Sequence, residues 1–177
     1  MKKILIFGRS PFINKIDFNK IDYRQYDVLC INTLIPQCKT VNYMVSVDEP
    51  VKFLETKGCE WVSINTGWEF KNEGYIIKEK CLCWRHFSSS AAVSFAILRG
   101  YKEILLAGID LIGGTIFKHY DGSMTSKIMS FQICNEEREF IKEICQKNSV
   151  EIFTLNKEND WLQFKDIGVI KHGNKEN

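Results

Sequence analysis

Residues 85–111, RHFSSSAAVSFAILRGYKEILLAGIDL, read as loop, helix, turn and strand without interruption, and they leave few folds open to the chain. Ser88, Ser89 and Ser90 precede a run, 91–98, that is apolar almost all round, which predicts a helix buried on both sides with serine hydroxyls as N-caps. Gly100 ends that helix. Residues 103–109 form a β-rich run without polar alternation, the pattern of a central strand in a parallel sheet covered on both faces. Asp110 then falls at the carboxyl end of the strand, the edge at which open α/β sheets bind ligands. The helix start offers hydroxyls, backbone N–H groups and the positive end of a dipole, which together favour a phosphate or carboxylate at Phe87 to Ser90. Ordinary capping accounts for the same serines equally well.

The rest of the chain supplies partners for that strand. Residues 3–7 are a first strand ending at Gly8-Arg9-Ser10-Pro11-Phe12, where a glycine lets backbone approach a ligand and a proline also suits a plain turn. Residues 15–26 read as a connection with short helical turns, and 26–32 as a second strand closed by Asn32, whose amide both donates and accepts. A third strand, 42–47, leads to Asp48-Glu49-Pro50, an acid cap and first-turn proline before a helix at 51–56. Strands at 60–65 and 74–78 flank a loop with Trp68, a residue better suited to covering core than to stacking on a base. Residues 128–148 are the closing helix, with apolar pairs Phe140–Ile144 and Ile141–Cys145 and a solvated side carrying Glu136, Glu137, Glu139, Lys142 and Glu143. A last strand follows at 150–155, and 161–170 fits no single pattern. The expected architecture is a single α/β domain, 1–170, with a Rossmann-like, mostly parallel sheet and helices on both faces. A lid loop lies near 112–127 and a polar tail at 171–177.

Charge and cysteine content narrow the partners. A net charge of +2 gives no electrostatic case for nucleic acid or an anionic membrane. Lys2 and Lys3 lead into too short an apolar run for a secretory leader or a membrane span, so a cytoplasmic chain is expected. Seven cysteines without finger spacing point to buried thiols, and Cys81-Leu82-Cys83 permits a metal without requiring one, so neither metal nor cofactor is expected.

The words Gly100-Tyr101-Lys102-Glu103-Ile104 and Gly108-Ile109-Asp110, in register with Arg85 and the serine loop, resemble the core of glycosyltransferase family 42, the small bacterial lipooligosaccharide sialyltransferases. The opening MKKILIFGRSPF is similar to the family's first strand and its G-N-G-P-S loop, with Gly8 and Pro11 kept and Arg9 and Ser10 substituted. The resemblance implies a sialyltransferase-type variant of the Rossmann-like sheet and metal-independent, inverting transfer of a sugar from a cytidine-monophosphate-linked donor to a glycan acceptor. It places Gly8, Arg9, Ser10, Pro11, Asn32, Asp48, Ser88, Ser89, Ser90, Gly108 and Asp110 along the nucleotide. A homo-oligomer is compatible with it.

The same comparison exposes departures. The family's lid insert is much reduced here, and His119-Tyr120-Asp121-Gly122-Ser123 keeps the first His, the Tyr and the Gly of a His-Tyr-x-x-His motif but has Ser123 where the general base belongs. Ile112 stands where a tyrosine follows GID-x. Tyr120 remains to donate to the leaving phosphate, and His119, with an ordinary pKa of about 6.5, is the remaining base within the motif. His86 adjoins the serine loop and is a further candidate for the cleft. The alternative reading is a non-catalytic nucleotide or nucleotide-sugar binder on the same fold.

Overall fold

The computed structural model describes residues 2–33, 35–46, 60–63, 76–77, 85–114, 116, 118–124 and 128–171, with 60–63 and 76–77 described by backbone alone. The expected helix at 51–56, Asp48, Trp68, the Cys81–Cys83 pair and nearly all of the tail lie outside these residues.

Strands β1 (Lys3–Phe7), β2 (Tyr26–Ile31), β3 (Tyr43–Ser46), β4 (Glu60–Ser63), β5 (Ile76–Ile77), β6 (Glu103–Ala107) and β7 (Glu151–Thr154) form one sheet. Its order is β5-β4-β3-β2-β1-β6-β7, and every described pairing is parallel. The apolar runs are shorter than the sequence suggests because pairing stops where the chain turns over the edge.

Alternation along each strand builds two cores. On one face Ile4, Ile6, Leu29, Ile104 and Leu106 pack with helices α1 (Ser88–Leu98) and α2 (Phe131–Lys147). On the other, Leu5, Phe7, Val28, Cys30 and Leu105 meet Phe12, Ile13, Ile16 and Phe18, which lie in or beside two 3-10 helices at Pro11–Lys15 and Phe18–Lys20. Helices therefore cover both faces, the second only with short turns. The unassigned run 161–170 divides between the faces: Trp161 is buried in the first cluster, while Val169 is buried in the second and Ile170 bridges to Ile16.

Helix α1 is buried from Ser88 through Ala96, as its all-round apolar sequence predicts, and it ends as Gly100 requires. Gly100 takes φ +80°, its N–H reaches Ile97 O, and the Tyr101 N–H reaches Ala96 O at 3.1 Å, closing the last turn. Helix α2 starts at Phe131, with Ser130 as a true N-cap whose Oγ accepts from the Ile133 N–H at 3.1 Å. Its buried stripe is Cys134, Glu137, Ile141 and Cys145, so Glu137 faces the core and not the solvent expected of it.

Strands β2 to β5 run outward on one side of β1, and β6 begins again on its other side. Chains leaving β1 and β6 thus part company, and the carboxyl edge over this switch point is the crevice at which such sheets hold ligands. No helix among the described residues is long and apolar enough to cross a membrane.

Candidate functional site

The exits of β1 and β6 touch through backbone. The Gly8 N–H donates to Ala107 O at 2.8 Å and the Ser10 N–H to Gly108 O at 3.1 Å. A Cβ on Gly8 would stand 2.2 Å from Gly108 O, and Gly108 takes φ +68° with Ile13 packed against it, so both positions demand glycine. Ser10 and Pro11 then start the first 3-10 helix: Ser10 Oγ accepts from the Phe12 N–H at 3.1 Å, with proline in the first turn. This is turn chemistry, and it aims Arg9 at the carboxyl edge.

Beside β1, β2 is followed by Asn32, which takes φ +62° while its N–H pairs with Val45 O. Asparagine tolerates that left-handed conformation better than most residues. The Ser88 hydroxyl donates to Asn32 Oδ1 at 3.0 Å, so the start of α1 and the end of β2 meet at the mouth of the crevice.

The serine loop differs from the sequence expectation. Phe87 is the N-cap of α1 and supplies no side-chain cap bond. Ser90 Oγ accepts from the Arg85 N–H and donates to Phe87 O. The anion at this helix start is the protein's own: Glu137 Oε1 accepts from Ser89 Oγ at 2.7 Å and from the Ser90 N–H at 2.9 Å, and Oε2 accepts from the His86 N–H at 2.9 Å. The Ser89 hydroxyl and Ser90 N–H expected to hold a phosphate are therefore turned to a buried carboxylate, because α2 packs across the end of α1. Arg85 and His86 also turn to α2, reaching Glu136 at 3.2 and 2.8 Å. These pairs and the Gln132 amide hold the Glu136 carboxyl down to about 2, the His86 bond contributing most.

Residues 118–124 form a small hairpin over the Arg9 loop. Lys118 and Met124 bridge antiparallel, and the His119 N–H reaches Ser123 O at 2.8 Å. Asp121 Oδ1 accepts from the Ser123 hydroxyl at 2.6 Å and its N–H at 3.0 Å, while Arg9 donates to Asp121 Oδ2 and to Ser123 Oγ, each at 3.1 Å. These bonds, the Ser123 hydroxyl's first, hold the Asp121 carboxyl at about 2. The Tyr120 N–H donates to Arg9 O at 2.8 Å, and the Tyr120 ring packs on the second core with the side chain of Thr33, the residue after Asn32, near its hydroxyl. Burial raises the Tyr120 pKa. For His119, burial first and then the Arg9 charge lower it, so the imidazole is neutral at pH 7.

Two groups of contacts thus meet around the crevice: Ser88 with Asn32, whose neighbour Thr33 lies near Tyr120, and Arg9 with Tyr120, Asp121 and Ser123. Asp110 sits on the far side of β6, where Asp110 Oδ1 accepts from Asn156 at 3.1 Å and its carbonyl from Arg138 at 3.3 Å, tying β6 to β7. Sequence reading missed Thr33, for which no signal exists, and Glu137, whose spacing of three from Cys134 and four from Ile141 marks it as part of the buried stripe. No group of three metal-ligating side chains occurs among the described residues.

A parallel sheet with a glycine-lined switch point, helices on both faces and a capping hairpin defines a Rossmann-like, GT-A-type domain. Solved sialyltransferases share it. CstII from Campylobacter jejuni, in complex with the substrate analogue cytidine-5'-monophosphate, superposes with a TM-score of 0.60 at 15% identity, over 98% of this chain and 91% of that one. The monofunctional alpha-2,3-sialyltransferase Cst-I from the same organism gives 0.58 at 16%, over 100% and 87%. CstII with a trisaccharide acceptor and cytidine monophosphate gives 0.59 at 14%, over 98% and 92%. No family model matches the sequence, and no curated protein does. At this identity the likeness establishes the fold.

Proposed function

We propose that the chain binds a cytidine-monophosphate-linked sugar across the β1/β6 edge and transfers the sugar to a glycan acceptor, as a metal-independent, inverting glycosyltransferase of the sialyltransferase type. The observation that carries this reading is the pair of polar contacts, Ser88 on Asn32 and Tyr120 on Arg9, set at the switch point of a fold shared with sialyltransferases. Asn32 and Ser88 present an amide and a hydroxyl to the nucleotide. The Arg9 guanidinium supplies the charge that a departing phosphate needs, once it exchanges Asp121 for the ligand. Tyr120 adds a hydroxyl donor. As the acceptor oxygen bonds the anomeric carbon and the bond to the phosphate oxygen breaks, the acceptor's proton must go to a base. His119 suits that step: burial first and the Arg9 charge second lower its pKa, and the imidazole is neutral near pH 7.

A second reading, a binder without turnover, draws on Ser123, whose hydroxyl is committed to Asp121 and accepts from Arg9 where the family has its base. Calorimetry with cytidine monophosphate, followed by turnover of a cytidine-linked sialic acid, tests both. If the chain is a transferase, His119→Ala loses about a hundred- to ten-thousand-fold in turnover with affinity kept, and Ser123→His gains turnover. Absence of turnover in the parent chain and in both variants, with binding intact, leaves the binder; absence of binding by any cytidine nucleotide rejects both.

A further inference from the structure

Glu137 is the one acid on the buried stripe of α2, with 0% of its surface exposed, and its partners all lie within residues 86–90. A buried carboxylate is costly unless its oxygens are satisfied, and here three donors and the positive end of α1 satisfy them. Those donors come from the two backbone positions and the one hydroxyl that define where the first turn of α1 sits. Ser88 is the neighbour of Ser89 in that turn, and its hydroxyl meets Asn32 at 3.0 Å.

Resting on the nucleotide-site reading above, we propose that Glu137 is a positioning residue: it anchors the first turn of α1 so that the Ser88 hydroxyl meets the Asn32 amide at the mouth of the nucleotide crevice. A consequence follows for the ligand. With the carboxylate of Glu137 on the Ser90 N–H and the Ser89 hydroxyl, those two donors are not offered to a phosphate, and Arg9 gains weight as its countercharge. Glu136 supports the same anchor from the outside by holding the Arg85 and His86 side chains, so two adjacent carboxylates of α2 grip one loop by its side chains and by its backbone.

The test is a double-mutant cycle read by calorimetry with cytidine monophosphate, each variant first checked by thermal melting and measured below its transition. Glu137→Gln keeps the shape but turns an amide N–H₂ toward backbone donors, and it should weaken binding about tenfold. Ser88→Ala should cost a similar factor, and the double variant should bind no worse than the weaker single one. Arg9→Ala should multiply with either. Where Glu137→Gln fails to fold, Ser89→Ala removes one of the three bonds without touching a charge and should give a smaller loss, again absent in the Ser88→Ala background. Binding equal to the parent chain, or losses at 137 and 88 that multiply, overturns the proposal. If the parent chain binds no cytidine nucleotide, the nucleotide reading falls by itself, and the Asn32 side-chain amide resonances then decide: the same displacement in Glu137→Gln and Ser88→Ala supports the anchor, and an unmoved signal in Glu137→Gln refutes it.

Discussion

At Asn32 backbone and side chain serve different ends. Its φ of +62° is a conformation that costs most L-residues roughly 1–2 kcal/mol and glycine nothing, while its amide oxygen accepts from Ser88. Asn32→Ala therefore mixes two losses, and Asn32→Gly isolates one. Both should weaken cytidine nucleotide binding by about 1–3 kcal/mol, as expected for removing an amide buried against a ligand. Urea denaturation should find a further loss of roughly 1 kcal/mol in the alanine variant relative to glycine. Equal binding by parent and glycine variant would remove Asn32 from the site. His119 yields a pH prediction of definite sign. Its folded pKa lies below 6.5, through burial first and the Arg9 charge second, so the unfolded chain takes up the proton at higher pH than the folded one. Stability from this group is complete above 6.5 and falls as pH drops through that value toward the folded pKa. If His119 is the base, the acid limb of kcat/KM lies below 6.5, and Arg9→Ala moves it upward by removing a repelling charge. A limb that ignores both Arg9→Ala and His119→Ala assigns the titration to another group.

The elements formed where sequence periodicity is strong, and the site departs where local chemistry had two solutions. Strands β1 and β6 were legible because a parallel sheet buried on both faces needs unbroken apolar runs, and α1 because a helix buried all round needs alanine and small apolar residues. The serines were ambiguous in principle: the same hydroxyls and N–H groups bind a phosphate or a carboxylate, and only the packing of α2 decides that Glu137 takes Ser89 and Ser90. A charge count along α2 hid this, since Glu137 stands among solvated acids and only its phase on the helix separates it from Glu136. The glycines after Asp110 were similarly double-valued. Cβ atoms on Gly113 and Gly114 would stand 2.5 and 2.4 Å from Phe131, so these glycines, within the expected lid loop, permit close packing on the start of α2. Gly8 has the same logic at the crevice. Gly8→Ala would drive a methyl into Gly108 O and force β1 from β6, at a cost above the roughly 1–3 kcal/mol of ordinary overpacking. Chemical denaturation checks it; a loss under 1 kcal/mol would mean that the two strand exits are not in contact as described.

On the scale of the whole molecule, ligand binding and stability are linked through the same sheet edge. The crevice joins the ends of β1, β2 and β6 to α1 and to the hairpin, so a nucleotide that bridges Arg9 and Asn32 reinforces residues whose own partners, Ser123 and Ser88, lie 114 and 56 positions away along the chain. Such a ligand binds the folded state and not the unfolded one, and at a hundred times its dissociation constant it adds about 2.7 kcal/mol. For a domain of this size that corresponds to a rise in melting temperature of about 5–10 °C. Cytidine monophosphate should produce it, and uridine, adenosine and guanosine monophosphates at equal concentration should produce less if the base is read as well as the phosphate. The variants apportion the shift. Arg9→Ala should abolish most of the part shared by all nucleotides, because phosphate countercharge is common to them, whereas Asn32→Gly should remove the same amount from cytidine monophosphate without equalising the others. A common small shift for all four nucleotides that vanishes in Arg9→Ala would identify a phosphate site without base selection, and no shift with any of them would set the nucleotide reading aside.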